Sequence, residues 1–201
     1  MMKNLILGLA ITATTLAFCN SNKSTESLNR SNDSQTILLT NNTSETTSSS
    51  VVTLNTVSLK EIVSAYLQMK NAFTEDNSTS AATAGKKLAA ALKNFDKSTL
   101  TAAQKKTYED IEADASEHAE HISTNGGNIA HQREHFEMLS KDIYDLVKTF
   151  GGGQVLYKDF DPMFNNGKGA FWISETQEIK NPYMGKAMLT SGSVLEEINQ
   201  P

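Results

Sequence analysis

The chain has 201 residues, a formal net charge of −5 and 38% hydrophobic residues. That length holds one domain of ordinary size plus tails. An acidic balance, with no basic stripe interleaved with aromatics, excludes nucleic acid as a partner.

Residues 1–18 read as a signal peptide: a single lysine, Lys3, precedes an apolar run from Leu5 to Phe18 that is too short and isolated for a spanning helix. Cys19 is the only cysteine, so an internal disulfide and a structural cysteine-type metal site are excluded. Leu16-Ala17-Phe18-Cys19 resembles the lipobox of bacterial lipoproteins, in which this cysteine is lipidated. Phe18 departs from it, because a small residue is usual there. A lipid-anchored protein is the preferred reading over a plain secreted one. Either way the protein is expected to be exported, and on the preferred reading it is a periplasm-facing or outer-membrane lipoprotein touching the membrane through its lipid alone. Residues 19–55 are dominated by Ser, Thr and Asn and lack the large apolar side chains that would offset ordering entropy. They are expected to form a tether, with Ile37-Leu38-Leu39 left unassigned.

Residues 56–153 carry four helical patterns, and residues 154–201 a tail expected to pack on them as one domain, 56–201. Ser58 and Glu61 form a capping-box pattern opening a helix from Leu59 to Glu75, with Leu59, Ile62, Val63, Tyr66, Leu67 and Phe73 on one face. After the break at 76–80 an alanine-rich helix places Ala81, Ala84, Leu88, Ala91, Leu92 and Phe95 inward. Gly85 within it either weakens the helix by up to ~1 kcal/mol relative to alanine or permits close helix contact. Thr101 and Gln104 open a third helix with the stripe Tyr108, Ile111, Ala115, Ala119 and Ile122. Asn128 starts a fourth, with Phe136, Leu139, Ile143, Leu146, Val147 and Phe150 at core spacing, stopped by Gly151-Gly152-Gly153. The expected fold is mainly α: an antiparallel up-down four-helix bundle with a small C-terminal two-stranded β element. Those two strands are Gln154–Tyr157 and Ala170–Ile173, and Val194–Ile198 closes the chain as a short amphipathic piece.

All four histidines, His118, His121, His131 and His135, flank the break Asn125-Gly126-Gly127-Asn128. The first two are spaced i, i+3 and the second two i, i+4, so each pair shares a helix face. Helices joined by so short a turn run antiparallel, which sets His118 level with His135 and His121 level with His131. Imidazole suits Cu, Zn and Ni, and Glu117, Glu120 or Glu134 could complete or orient a ligand set. His118 and His135 lie nearest the core stripes and form the preferred pair, with His121 and His131 more exposed. The opposing reading is histidines that are merely solvated or favourable near a helix end.

The order HAEHI, HQREHFEMLSKDIYDLVKTFG, VLYKDFDPMFNNGKGAFWIS and EIKNPYMGKAMLTSG resembles, from about Ser58 to Ile198, a bacterial family catalogued only as a domain of unknown function. Its members occur in small exported lipoproteins and at the C-terminus of periplasmic adaptors of copper/silver efflux pumps. The resemblance implies a four-helix domain with a small β element and an association with heavy metals, mainly copper. Met163, Met184 and Met188 fall in its motif neighbourhood, where thioether is a Cu(I) ligand and ordinary packing is the other use. Where the family shows Cys-Pro-Met this chain has Asp161-Pro162-Met163, and where it shows Met-Leu-Thr-Cys-Gly it has Met188-Leu189-Thr190-Ser191-Gly192. Both thiols that would favour Cu(I) are replaced together.

No nucleophile elbow is present, and the glycine run follows a helix and precedes a strand, the reverse of a phosphate loop. The carboxylates of the third and fourth helices lack the Glu-x-x-His pairs of a di-metal bundle. The expectation is therefore a non-enzymatic, lipid-anchored envelope protein. It would bind copper, or Zn or Ni, through His118, His135, His121, His131, Met163 and Met188. Cys19 would carry the lipid, and an efflux-system or other envelope protein would be its partner. The alternative is a metal-free interaction module on the same fold.

Overall fold

The computed structural model describes residues 56–199, with side chains from Leu59 onward, all within one unit, Ser49–Pro201. The signal, lipidation and tether assignments lie outside these residues. Among the described residues no helix is long and apolar enough to cross a membrane.

Four helices follow one another: α1 (Thr56–Thr74), α2 (Ser78–Lys93), α3 (Ala102–Thr124) and α4 (Ile129–Phe150). Every residue of the expected α1 stripe is buried, and Ala65, Met69 and Ala72 join it. The helix is wrapped by α2, α4 and the sheet, so its apolar arc exceeds a single stripe. It begins at Thr56, two residues before the Ser58 expected to open it. Asp76 adopts φ 53° after α1, and Asn77 caps α2 by accepting from the Ser80 N–H. Gly85 is a contact glycine: a Cβ there would lie 2.8 Å from the Ala119 carbonyl oxygen, so α2 and α3 approach through it. Thr101 and Gln104 form the expected reciprocal capping box on α3. Asn128 caps α4 by accepting from the His131 N–H, and Gly151 ends α4 at φ 82°.

The sheet has three antiparallel strands in the order β2-β1-β3 rather than two: β1 (Leu156–Asp161), β2 (Ala170–Ser174) and β3 (Ser193–Ile198). The closing piece expected at Val194–Ile198 is the third strand. It completes the free edge of β1, pairing Leu156 with Ile198 and Phe160 with Ser193 across a bulge at Lys158/Asp159. β1 also lies further along the chain than expected and reaches Asp161, because pairing with β2 sets Asp161 opposite Ala170.

Aromatic side chains join the sheet and tail to the bundle. Phe136 of α4 stacks on Tyr66 of α1 at 5.2 Å and meets Tyr183 of the tail at 5.7 Å. The Tyr66 hydroxyl accepts from the Ile173 N–H at 3.0 Å and shares a hydrogen bond with Ser140 Oγ at 2.8 Å. One hydroxyl thus ties β2 to two helices. Trp172 and Ile173 are wholly buried. The aromatic tail covers the bundle.

Candidate metal centre

Both ends of the α3–α4 turn are fixed from below. Gln132, on the first turns of α4, is buried, and its amide donates to the carbonyls of Ile122 at 2.9 Å and Ser78 at 3.1 Å. Asn125 closes α3 onto the His121 carbonyl. The last turns of α3 and the first turns of α4 are thereby held side by side, and the four imidazoles meet there.

His135 is the hub. Its ring stacks on that of His121 at 4.4 Å and 17°, meets His131 edge-on at 4.7 Å, and lies 5.5 Å from His118. Its Nδ1 is 3.3 Å from the Nδ1 of His118. The expected pairing of His118 with His135 is present, while His121 sits nearer His135 than His131, from which its ring is 6.4 Å distant. His121, His131 and His135 each offer a ligand atom within 4.8 Å of the other two. Among the described residues, the cluster whose ligand atoms can surround one ion is this triad, centred on His135, with His118 beside it. His121 and His131 are the more open, with side chains 47% and 36% exposed.

Electrostatics keep lone pairs available. Burial holds the His118 ring below the usual imidazole value, against the opposing pull of Glu117 and Asp114. His135 is lowered by burial first and then by its three imidazole neighbours, since a second positive charge among them is disfavoured. Neutral rings are the ligating form.

The nearby carboxylates divide. Glu134 places Oε2 3.3 Å from His131 Nδ1, and Glu117 places Oε1 4.0 Å from His121 Nε2. Glu120 is instead paired with Lys93 of α2 and takes no part.

The tail residues are not joined to this cluster. The tail meets α4 where Asn165 donates to Glu137 and Arg133 donates to the Pro182 carbonyl. Arg133 lies two residues from both His131 and His135, and Glu137 two residues from His135, in each case roughly 200° around the helix. Met163 and Met188 are exposed side chains of this tail, 45% and 46% accessible. The two positions at which the resemblance expects cysteine, Asp161 and Ser191, do come together. The Asn181 side-chain amide donates to Asp161 Oδ2 at 2.8 Å and to Ser191 Oγ at 2.9 Å, and Asp161 Oδ1 accepts from the Met163 N–H. Asp161 and Asn181 are fully buried. Both carboxylate oxygens are used, so the pair forms a closed polar knot rather than an open ligand set. Sequence reasoning did not single out Asn181, because an Asn-Pro pair reads as a turn.

Comparison with curated proteins and with solved structures gives no match. The helical part of the chain, residues 62–154, matches the model of the family described as Protein of unknown function (DUF3347).

Proposed function

We propose that this is an exported, lipid-anchored protein of the cell envelope that binds a transition metal and has no chemistry of its own. It would sequester copper or a related ion, or hand it to an efflux or resistance system. The observation that carries the reading is the His121–His131–His135 triad, with ligand atoms within 4.8 Å of one another at a fixed helical turn. A ligand set made of imidazoles suits Cu(II), Zn(II) and Ni(II) better than Cu(I). Export and anchoring rest on the segment around Cys19, and the efflux connection on the family resemblance.

The test is titration of the full chain with Cu(I), Cu(II), Zn(II) and Ni(II) in competition with a chelating dye. Submicromolar binding is expected, weakened at least ~10-fold by His135→Ala, which is ~1.4 kcal/mol. Equal affinity in wild type and a His121→Ala/His131→Ala/His135→Ala triple variant would end the metal reading. A metal-free docking module is the second reading. It is favoured by an open groove between Ile129, Met138, Phe164 and Tyr183 and by edge strand β3, which exposes Val194 and Leu195.

A further inference from the structure

Each histidine of the triad has one ring nitrogen facing a partner outside it. His135 Nδ1 faces His118 Nδ1 at 3.3 Å, His131 Nδ1 faces Glu134 Oε2 at 3.3 Å, and His121 Nε2 faces Glu117 Oε1 at 4.0 Å. A nitrogen whose proton is held by such a partner leaves its lone pair on the other nitrogen of the ring. Held so, His135 and His131 would each present Nε2 to an ion, whereas the 4.0 Å between His121 and Glu117 is too long for a hydrogen bond and leaves either nitrogen of His121 available.

We propose that His118 is a positioning residue rather than a ligand: it accepts the Nδ1–H of His135 and so presents Nε2 of His135 to the ion. This deepens the metal reading above and rests on it. Three observations carry it. His118 is not among the three residues whose ligand atoms are mutually within 4.8 Å. It is half-buried on the core side of the turn, on the helix that buries Ala115 and Ala119 completely. Its one short contact with the triad is to His135, the residue that touches all the others. The two Glu partners are exposed and screened, so His118 is the outer residue whose removal is felt most. His121 must turn on loading, since parallel stacking on His135 does not aim both rings at one point. Its exposure leaves it free to do so.

The rival arrangement is concrete. An ion held at 2.0–2.1 Å by both Nδ1 atoms would separate them by roughly 3.3 Å in a tetrahedral site, so the observed spacing also suits His118 as a direct ligand. Substitution separates the two. Glutamine keeps an acceptor at this position but is no imidazole ligand.

Zinc affinity of the full chain is measured for wild type, His118→Ala, His118→Gln and His135→Ala, with urea unfolding to confirm that each variant folds. Ring-nitrogen NMR shifts of the zinc-loaded wild type are recorded alongside. Positioning predicts a loss of about 10- to 100-fold for His118→Ala, the range for removing an outer-shell partner. His118→Gln should then stay within about 3-fold of wild type, with zinc-bound Nε2 and protonated Nδ1 on His135. Equal losses in His118→Ala and His118→Gln, or a zinc-bound nitrogen on His118, would overturn the proposal while leaving the metal site standing. Zinc binding that His135→Ala leaves untouched would overturn both.

Discussion

The end of the α3–α4 hairpin and the underside of the sheet handle polar groups in opposite ways. At the hairpin end four imidazoles are partly open to solvent and tied to one another by ring contacts, and three of them hold ligand atoms within 4.8 Å of one another. Under the sheet, Asp159 is completely buried with neither carboxylate oxygen hydrogen-bonded, and Trp172, its cross-strand partner, has an unpaired indole N–H. Lys70 is equally buried and paired with Glu175 at 2.6 Å. The first arrangement costs little, because water reaches it. The second is sealed, so its polar groups act on stability and on the pH dependence of folding.

If that division holds, the largest loss of stability comes from the aromatic joint. Phe136→Ala is expected to cost about 3–5 kcal/mol in urea unfolding, because Tyr66, Phe73 and Tyr183 all close on that ring. The acids raised by burial come next, Asp159 under the sheet and the half-buried Asp142 on α4. Burial pushes Asp159 up to about 7, with Lys70 opposing the rise, and Asp142 is likewise pushed up to about 7 by burial and by Asp114 and Asp145. A carboxyl raised in the folded state binds a proton that the unfolded chain has released. The contribution of these two acids to stability should therefore fall as pH rises from the ordinary aspartate range near 4 to about 7 and then level off, while the lowered His118 and His135 contribute with the opposite sign as pH rises towards the ordinary imidazole value. Asp159→Asn should flatten that slope by its own share, and an unchanged slope would mean that Asp159 is ionised in the folded protein.

Gly85→Ala should cost ~1–3 kcal/mol by forcing α2 away from the Ala119 carbonyl. Asn128→Ala should remove about 1 kcal/mol as a lost cap and weaken metal binding with it, since the same bond fixes the first turn carrying His131. His135→Ala should sharpen the contrast most directly: at least ~10-fold in metal affinity, and within about 0.5 kcal/mol in stability, the ordinary range for a surface position. A large stability loss there would show the hairpin end to be a structural joint.

Much of the bundle was legible in the residues. The α2, α3 and α4 stripes, the Thr101–Gln104 box and the Asn128 cap are local features, set by spacing and by the need to satisfy free N–H groups at helix starts. The convergence of the histidines followed from a short turn between two periodic segments. Their internal arrangement did not. Which imidazole becomes the hub depends on ring rotamers and on the relative roll of α3 and α4, and neither is written in an i, i+3 or i, i+4 spacing. His135 stacking on His121, and the diversion of Glu120 to Lys93, are outcomes of that roll.

The third strand shows the same limit, since β3 exists only because β1 offers an edge more than thirty residues away. Lys70 reads as a solvated helix residue until Glu175, 105 positions later, reaches it. By itself the sequence determined the helices, their order and the gathering of four histidines at one turn, because caps, periodicity and loop length act within a few residues. Tertiary structure alone decided the third strand, the buried acid at Asp159, the closed Asp161–Asn181–Ser191 knot and the hub position of His135. Each depends on which distant groups are brought within hydrogen-bonding or ring-contact distance, and packing sets those distances.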